Sequence, residues 1–311
     1  MSGQTMQWRV LVFDFNLCFN NRLLETPPLM FHSTRDILDA VRSGSLSVTR
    51  AERLLKLDAL AIVDEIARLD INRQLRRGVP EVIYAGGKSN TQLSSILERI
   101  VTMKSTNEGL SRPVILSKVR PDQFRSLQKF FRKKAKMLSS RGLSARIHGD
   151  AGIVVLYTSK NSFDISNLGR SAGRVALLAA GTSDIPALTE AEVVLNAMRC
   201  KTIRYNDVGV SALKRLSRPL KEIQRFDPDA LVVAAGMEAA LPSLIAGLSG
   251  VAVIGLPTSV GYGYGRNGEA ALMSMLQACP LGICVVNIDG GVAAGVIAAL
   301  IANRCSEMRR N

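Results

Sequence analysis

The chain has 311 residues, 47% of them hydrophobic and only 5% aromatic, with 40 Lys and Arg against 26 Asp and Glu, for a formal net charge of +14. That length allows one large or two modest domains with a sizeable core, and the Ala, Val, Ile, Leu and Gly content suits an α/β protein with a buried parallel sheet. Five cysteines, an odd number with no C-x-x-C pair, argue against a disulfide framework or a zinc knuckle and for free thiols in a reducing cytoplasm.

Residues 1–33 read as an extension with one possible strand, and WRVLVFDF (8–15) is cut short by Asp14 and Asn16 without a cleavage site. From Thr34 to about Asp70 the pattern is helical: a helix, a turn at Gly44, and a second helix capped by Ser47. Residues 34–165 then form a helical and mixed α/β region. Its strand candidates are EVIYAG (81–86), PVILSK (113–118), ARIHGD (145–150) and GIVVLYTS (152–159).

Within it, residues 118–146 carry ten Lys and Arg against one acid, Asp122. Such a run could bind a nucleic acid or another anion. Phe124, Leu127, Phe131 and Leu138 recur at helical spacing, however, so the simpler reading is an amphipathic helix with a solvated basic face. GGKS (86–89) resembles the tail of a phosphate-binding P-loop, but Val82 stands where the first glycine is required. Lys88 remains a candidate ligand for a phosphate or carboxylate, or a solvated lysine.

NSFDISNLGRSAGR (161–174) reads as a linker, and the second domain runs over 166–311. VALLAAG (175–181), KTIRYND (201–207), ALVVAAG (230–236), VAVIGLP (251–257) and GICVVNID (282–289) each precede a helix or close the series. Short, continuously apolar strands alternating with helices predict a doubly wound parallel sheet in a flavodoxin-like three-layer αβα domain. In such sheets ligands bind outside the carboxyl ends of the strands. The residues found there are Thr182, Ser183 and Asp184, then Asn206 and Asp207, then Gly236, Met237 and Glu238, then Thr258 and Ser259, then Asn287 and Asp289. The apolar stretch near 230–256 is interrupted by Glu238, Pro242 and glycines, which argues against a membrane span.

GYGYGRNG (261–268) matches G-x-G-x-x-G through Gly263, Gly265 and Gly268. The dinucleotide fingerprint requires that turn directly after a strand, normally the first; here six residues intervene after the fourth. A glycine-rich loop before a helix can still hold an anion on its backbone amides. Glu238, in an otherwise apolar run at a strand-to-helix junction, could cap the helix, bind Mg²⁺ with Asp207 or Asp184, or act as a general base. Cys279 follows a helix C-terminus, which does not favour a thiolate, so a reactive role needs a nearby positive charge such as a cationic substrate. His32 and His148 both lie outside the C-terminal half, which excludes a histidine triad there.

GTSDIP (181–186), DVGV (207–210), AAGMEAALPS (234–243), VIGLPTSVGYG (253–263) and SMLQACPLGICVVNIDGG (274–291) together resemble the AIR-carboxylase-like (PurE-like) domain. With LDINRQLRRGVPEVIYAGGKS (69–89), the resemblance is closest to the LarB branch, carboxylase/hydrolases of nickel-pincer cofactor biosynthesis. AIR carboxylases carry a catalytic histidine in G-G-A-A-H-L-P. This chain has Ala240 there, which puts aminoimidazole ribonucleotide chemistry in doubt.

The resemblance implies a substrate, nicotinic acid adenine dinucleotide, with CO₂ as co-substrate, and AMP and pyridinium-3,5-biscarboxylate mononucleotide as products. It implies Cys279 and Glu238 as catalytic residues, Glu238 and Asp207 as holders of Mg²⁺ or another divalent cation, and no organic cofactor. Lys88, the Thr182–Ser183–Asp184 loop, Gly236, Met237, and Thr258, Ser259, Gly261 and Gly263 are the candidate substrate contacts, taken from the strand-end and glycine-loop readings above. A cytoplasmic homo-oligomer, commonly an octamer with shared sites, is expected, without membrane or nucleic-acid partners. The alternatives are a related mutase acting on another nucleotide, or a nucleic-acid-binding protein using the basic 118–146 segment.

Overall fold

A computed structural model describes residues 34–55, 61–63, 67–69, 79–102, 113–158 and 172–309. The proposed extension 1–33 and most of the proposed linker lie outside them. The chain divides into two compact units, Met1–Leu57 and Asp58–Asn311. In the first, helix α1 (Thr34–Arg42) turns at Gly44, whose φ of +73° suits glycine, into α2 (Val48–Leu55). Ser47 Oγ accepts the Arg50 amide at 3.3 Å, as a cap should, and Leu46 and Ala51 are buried between the two helices.

Helix was expected as far as about Asp70, but two strands lie within that span. In the second unit Ala61–Val63 (β1) and Ala67–Leu69 (β2) pair antiparallel. β-Branched Ile62 and Val63 favour that outcome.

A four-stranded mixed sheet follows, built from β3 (Glu81–Tyr84), β4 (Val114–Ser117), β5 (Leu143–His148) and β6 (Ile153–Thr158) in the order β3-β4-β6-β5. Only β3 and β4 are parallel. Helices α3 (Asn90–Thr102), α4 (Pro121–Lys133) and α5 (Ala135–Ser140) cover one face through Leu93, Ile96, Leu97, Leu127 and Leu138. The basic run is thus two helices meeting at Lys134, which pairs with Glu98 at 2.5 Å. Its solvent face carries Arg125, Lys129, Arg132, Lys133 and Lys136.

The parallel sheet is built from β7 (Arg174–Ala179), β8 (Lys201–Tyr205), β9 (Ala230–Ala235), β10 (Val253–Pro257) and β11 (Ile283–Val285). Its order, β11-β10-β9-β7-β8, is that of a doubly wound flavodoxin-like sheet, as the strand pattern predicted. On one face lie α6 (Ile185–Ala197) and α10 (Gly291–Met308); on the other lie α7 (Ser217–Phe226), α8 (Ala240–Leu248) and α9 (Glu269–Leu276). With helices on both faces every residue of β9 and β10 is buried, which is why these strands read as unbroken apolar runs.

Helices α6 and α10 meet along a seam of small residues. A Cβ on Gly295 would sit 2.6 Å from the Ala191 carbonyl oxygen. Ile115, Ile153 and Val155 of the mixed sheet join the same buried cluster as α6 and α10. The helix pair therefore packs against both sheets.

Candidate active site at the carboxyl edge

The strand order reverses between β7 and β9, and in doubly wound sheets the ligand crevice lies at that switch point, outside the carboxyl ends of the strands. After β7 the chain makes a short 3-10 turn, Thr182–Asp184, and enters α6 with Pro186 in its first turn. Thr182 and Ser183 are exposed, while Asp184 is 4% exposed. Its Oδ2 accepts the Gly181 amide at 2.8 Å, and its Oδ1 accepts the Thr258 hydroxyl at 2.6 Å. Thr258, at the end of β10, is itself 1% exposed. Burial pushes the Asp184 carboxyl above the usual range, and the Thr258 hydroxyl pulls it back. Asp184 and Thr258 are thus a buried clamp between two loops.

The loop after β9 is held as tightly. The Met237 amide donates to the Val260 carbonyl at 2.8 Å. A Cβ on Gly236 would overlap that carbonyl and lie 2.8 Å from Thr258 Oγ1, so only glycine fits. Met237 and Ala239 both adopt left-handed backbone. Glu238, between them, is exposed. It does not cap α8, whose N-cap position is Ala239 with no side-chain cap bond. The fold presents this carboxylate at the crevice rim.

The glycine-rich loop closes the crevice above β10. Gly268, at φ +95°, packs so closely that a Cβ would lie 2.6 Å from the Thr258 carbonyl oxygen. Gly261 and Gly263 are exposed, and Tyr262 and Tyr264 project beside them. The exposed Ser259 donates its amide to Asp289 Oδ1 at 3.0 Å, which ties this loop to the end of β11.

Asp207 follows β8 and is bound to Arg215 at 2.6 Å. Among the described residues no three His, Cys, Asp or Glu side chains converge as a metal cage. Asp207 is paired with a half-exposed arginine, and that surface pair would have to open for Asp207 to hold Mg²⁺ together with Glu238. Mg²⁺ needs few protein ligands when phosphates supply oxygens, and Glu238 alone suits that arrangement.

The mixed sheet adds its own strand ends. Lys88 follows β3 in a loop fastened by Gln123 Nε2, which donates to the Ala85 and Lys88 carbonyls at 2.9 and 2.8 Å. Lys118, directly after β4, was not singled out in the sequence beyond its place in the basic run. Its ammonium donates to Glu190 Oε2 at 2.9 Å and to the Asp289 carbonyl at 2.7 Å. The carboxyl ends of β4 and β11 therefore meet at one edge. The strand-end rule, applied to PVILSK as it was to the later strands, would have picked out Lys118.

Cys279 is placed differently. It is exposed, between α9 and β11, and Val253 at the start of β10 pairs with Ile283 at the start of β11. Cys279 thus lies at the amino edge. Glu238 and the crevice lie at the other edge, roughly 17 Å along the strands at 3.3 Å per residue. Leu248, Met273, Leu276 and Leu281 are exposed on α8, on α9 and in the turn that holds Cys279. By contrast Cys200 is fully buried, and burial pushes its thiol up to about 12.

Residues 174–310 match the family model for AIR carboxylase, and residues 62–156 match that for the LarB/PurE-like N-terminal domain. Uncharacterized protein MJ0165 of Methanocaldococcus jannaschii is 35% identical over 273 residues, spanning 88% of this chain and 98% of that protein. No helix among the described residues is long and apolar enough to cross a membrane.

Proposed function

The chain belongs to the LarB/AIR-carboxylase-like family, and on that premise we propose that it carboxylates the pyridinium ring of nicotinic acid adenine dinucleotide and hydrolyses its phosphoanhydride. The observation that carries this reading is the pairing of Ala240 with an exposed Cys279. The position of the AIR-carboxylase histidine holds a side chain with no proton to transfer, and the available nucleophile is a thiol.

The Cys279 thiolate adds to C4 of the pyridinium, giving a dihydropyridine with enamine character at C5. C5 attacks CO₂ to form the new C–C bond. The C5 proton then leaves to a base and the C4–S bond breaks, which restores both aromaticity and the thiolate. No net oxidation occurs. The ring's positive charge favours the thiolate that attacks it, and covalent addition divides a difficult carboxylation into easier steps. Glu238 is the base nearest the crevice rim. Water attack on the phosphoanhydride releases AMP; Glu238 would hold a divalent cation, which would neutralise charge on the phosphates. Lys88 and the loops at Thr182–Ser183, Gly236–Met237 and Ser259–Gly263 hold phosphates and ribose.

Cys279 and Glu238 occupy opposite sheet edges, so in this reading one copy's thiol completes another copy's crevice. The exposed apolar side chains around Cys279 suit such a contact. The test is mass spectrometry after incubation with the dinucleotide, Mg²⁺ and ¹³C-bicarbonate. The protein should release AMP and a ¹³C-carboxylated mononucleotide. Cys279→Ala and Glu238→Gln should each fail alone, and labelled product should reappear when the two variants are unfolded, mixed and refolded together. Full carboxylation by folded Cys279→Ala protein would sink the mechanism. Two inactive variants that do not complement would sink the shared site.

A further inference from the structure

We propose that Lys118, a residue of the mixed sheet, is a positioning residue for the crevice of the parallel sheet. Its ammonium has three protons. One goes to Glu190 Oε2 and one to the main-chain oxygen of Asp289, 171 residues further along the chain. Asp289 is the residue whose carboxylate receives the Ser259 amide and whose own amide donates to the Pro257 carbonyl at 2.8 Å. A continuous path thus runs from β4 through Lys118 and Asp289 to Ser259 and the glycine-rich loop.

Both Lys118 and Asp289 hold left-handed backbone, at φ +55° and +54°. Side chains rarely accept that conformation without a compensating role. Glu190 explains why the lysine stays in place. Its side chain is 1% exposed, and its Oε1 is buried with no hydrogen-bond partner. Lys118 is the cation that neutralises it.

A purely structural ion pair would need only the contact to Glu190. Here the cation comes from the other sheet, and it divides its protons between that acid and the residue that fixes Ser259. The lysine side chain remains 40% exposed, so it meets this path from a solvent-accessible edge. The mixed sheet then sets the shape of a loop it does not itself carry.

The substrate arm of the test rests on the function proposed above; the exchange arm does not. Amide hydrogen exchange across 258–268 would be followed by mass spectrometry in the full chain, for Lys118→Met, Glu190→Gln and the double variant. Lys118→Met alone strands the Glu190 charge and lowers the thermal midpoint. The double variant removes that charge, so its midpoint returns towards wild type. Its 258–268 amides should nevertheless exchange about tenfold faster. KM for the dinucleotide should rise about tenfold while kcat changes less than about threefold. Glu190→Gln alone keeps Lys118 on Asp289 and should retain protection. Should the methionine version not fold, Lys118→Gln combined with Glu190→Gln serves as the second double variant and is read in the same way.

Wild-type protection of 258–268 in a folded double variant would overturn the proposal. So would loss of protection that simply tracks the thermal midpoint across the set. If wild-type protein makes no product while the exchange pattern appears as stated, the functional reading falls and the positioning role stands.

Discussion

Thr258→Val probes the clamp beneath the crevice with almost no change of shape. The hydroxyl that donates to Asp184 at 2.6 Å is lost, and a methyl replaces it in a site where both residues are nearly inaccessible. A hydrogen bond to a charged group contributes about 1.5–3 kcal/mol, so a loss of about 2 kcal/mol is expected near neutral pH. For a unit of this size that lowers the thermal midpoint by about 4–8 °C.

The pH dependence has a definite sign. Burial already raises the Asp184 carboxyl, so the folded state favours its protonated form. Stability from this group is therefore full below about pH 3.8 and declines as pH rises through the raised native value. Without the Thr258 hydroxyl, which lowers that value, the native carboxyl shifts further up. The variant's deficit is thus largest near pH 7.5 and shrinks as pH falls towards 4. Calorimetry of both proteins at pH 7.5, 5.5 and 4.5 reads the difference at each pH. A deficit under about 1 °C at pH 7.5, or one that does not shrink on acidification, would refute the description of Asp184 as a buried anion held by Thr258.

Gly236→Ala and Gly265→Ala separate loop packing from loop composition. The first drives a methyl into the Val260 carbonyl and should cost about 1–3 kcal/mol in urea unfolding. The second has nothing within 4 Å and should cost less than about 0.5 kcal/mol from packing; equal losses would contradict the geometry. Alkylation at pH 8 followed by peptide mapping should label the exposed Cys279 and Cys284 in native protein. It should spare Cys200 until the fold is lost, because that thiol is buried and raised to about 12.

Much of this fold was legible because its strands are covered on both faces. VALLA, ALVVAA and VIGLP have no polar face to confuse with a helix, and each is followed by the polar residues of a strand end. The strands at 81–84, 114–117, 143–148 and 153–158 likewise match the four expected segments to within two residues. Less legible was the difference between Asp184 and its neighbours Thr182 and Ser183. Three consecutive polar residues look alike in a sequence, yet one turns inward onto Thr258. The edge on which Cys279 lies was deducible, since a residue between a helix and the next parallel strand must sit at the amino end. The resemblance implies both Cys279 and Glu238 as catalytic residues without fixing their separation, and chain direction puts them at opposite edges within one copy. Lys118 was hidden by its company in a basic run, where a contact 171 residues away leaves no local trace.

Of the nine non-glycine residues with left-handed backbone among the described residues, Arg199 and Asp227 close helices and the other seven lie in loops that follow strands. Lys118, Asp207, Met237, Ala239, Arg266, Asn267 and Asp289 all follow strands at their carboxyl ends. Left-handed backbone disfavours ordinary L-residues by about 1–2 kcal/mol each, with asparagine and aspartate the most tolerant. A laboratory population selected for heat resistance alone would find relief here by drifting towards glycine and asparagine. Such lineages would gain melting temperature while the crevice lost its outline, so screening for stability must be interleaved with screening for turnover at this edge.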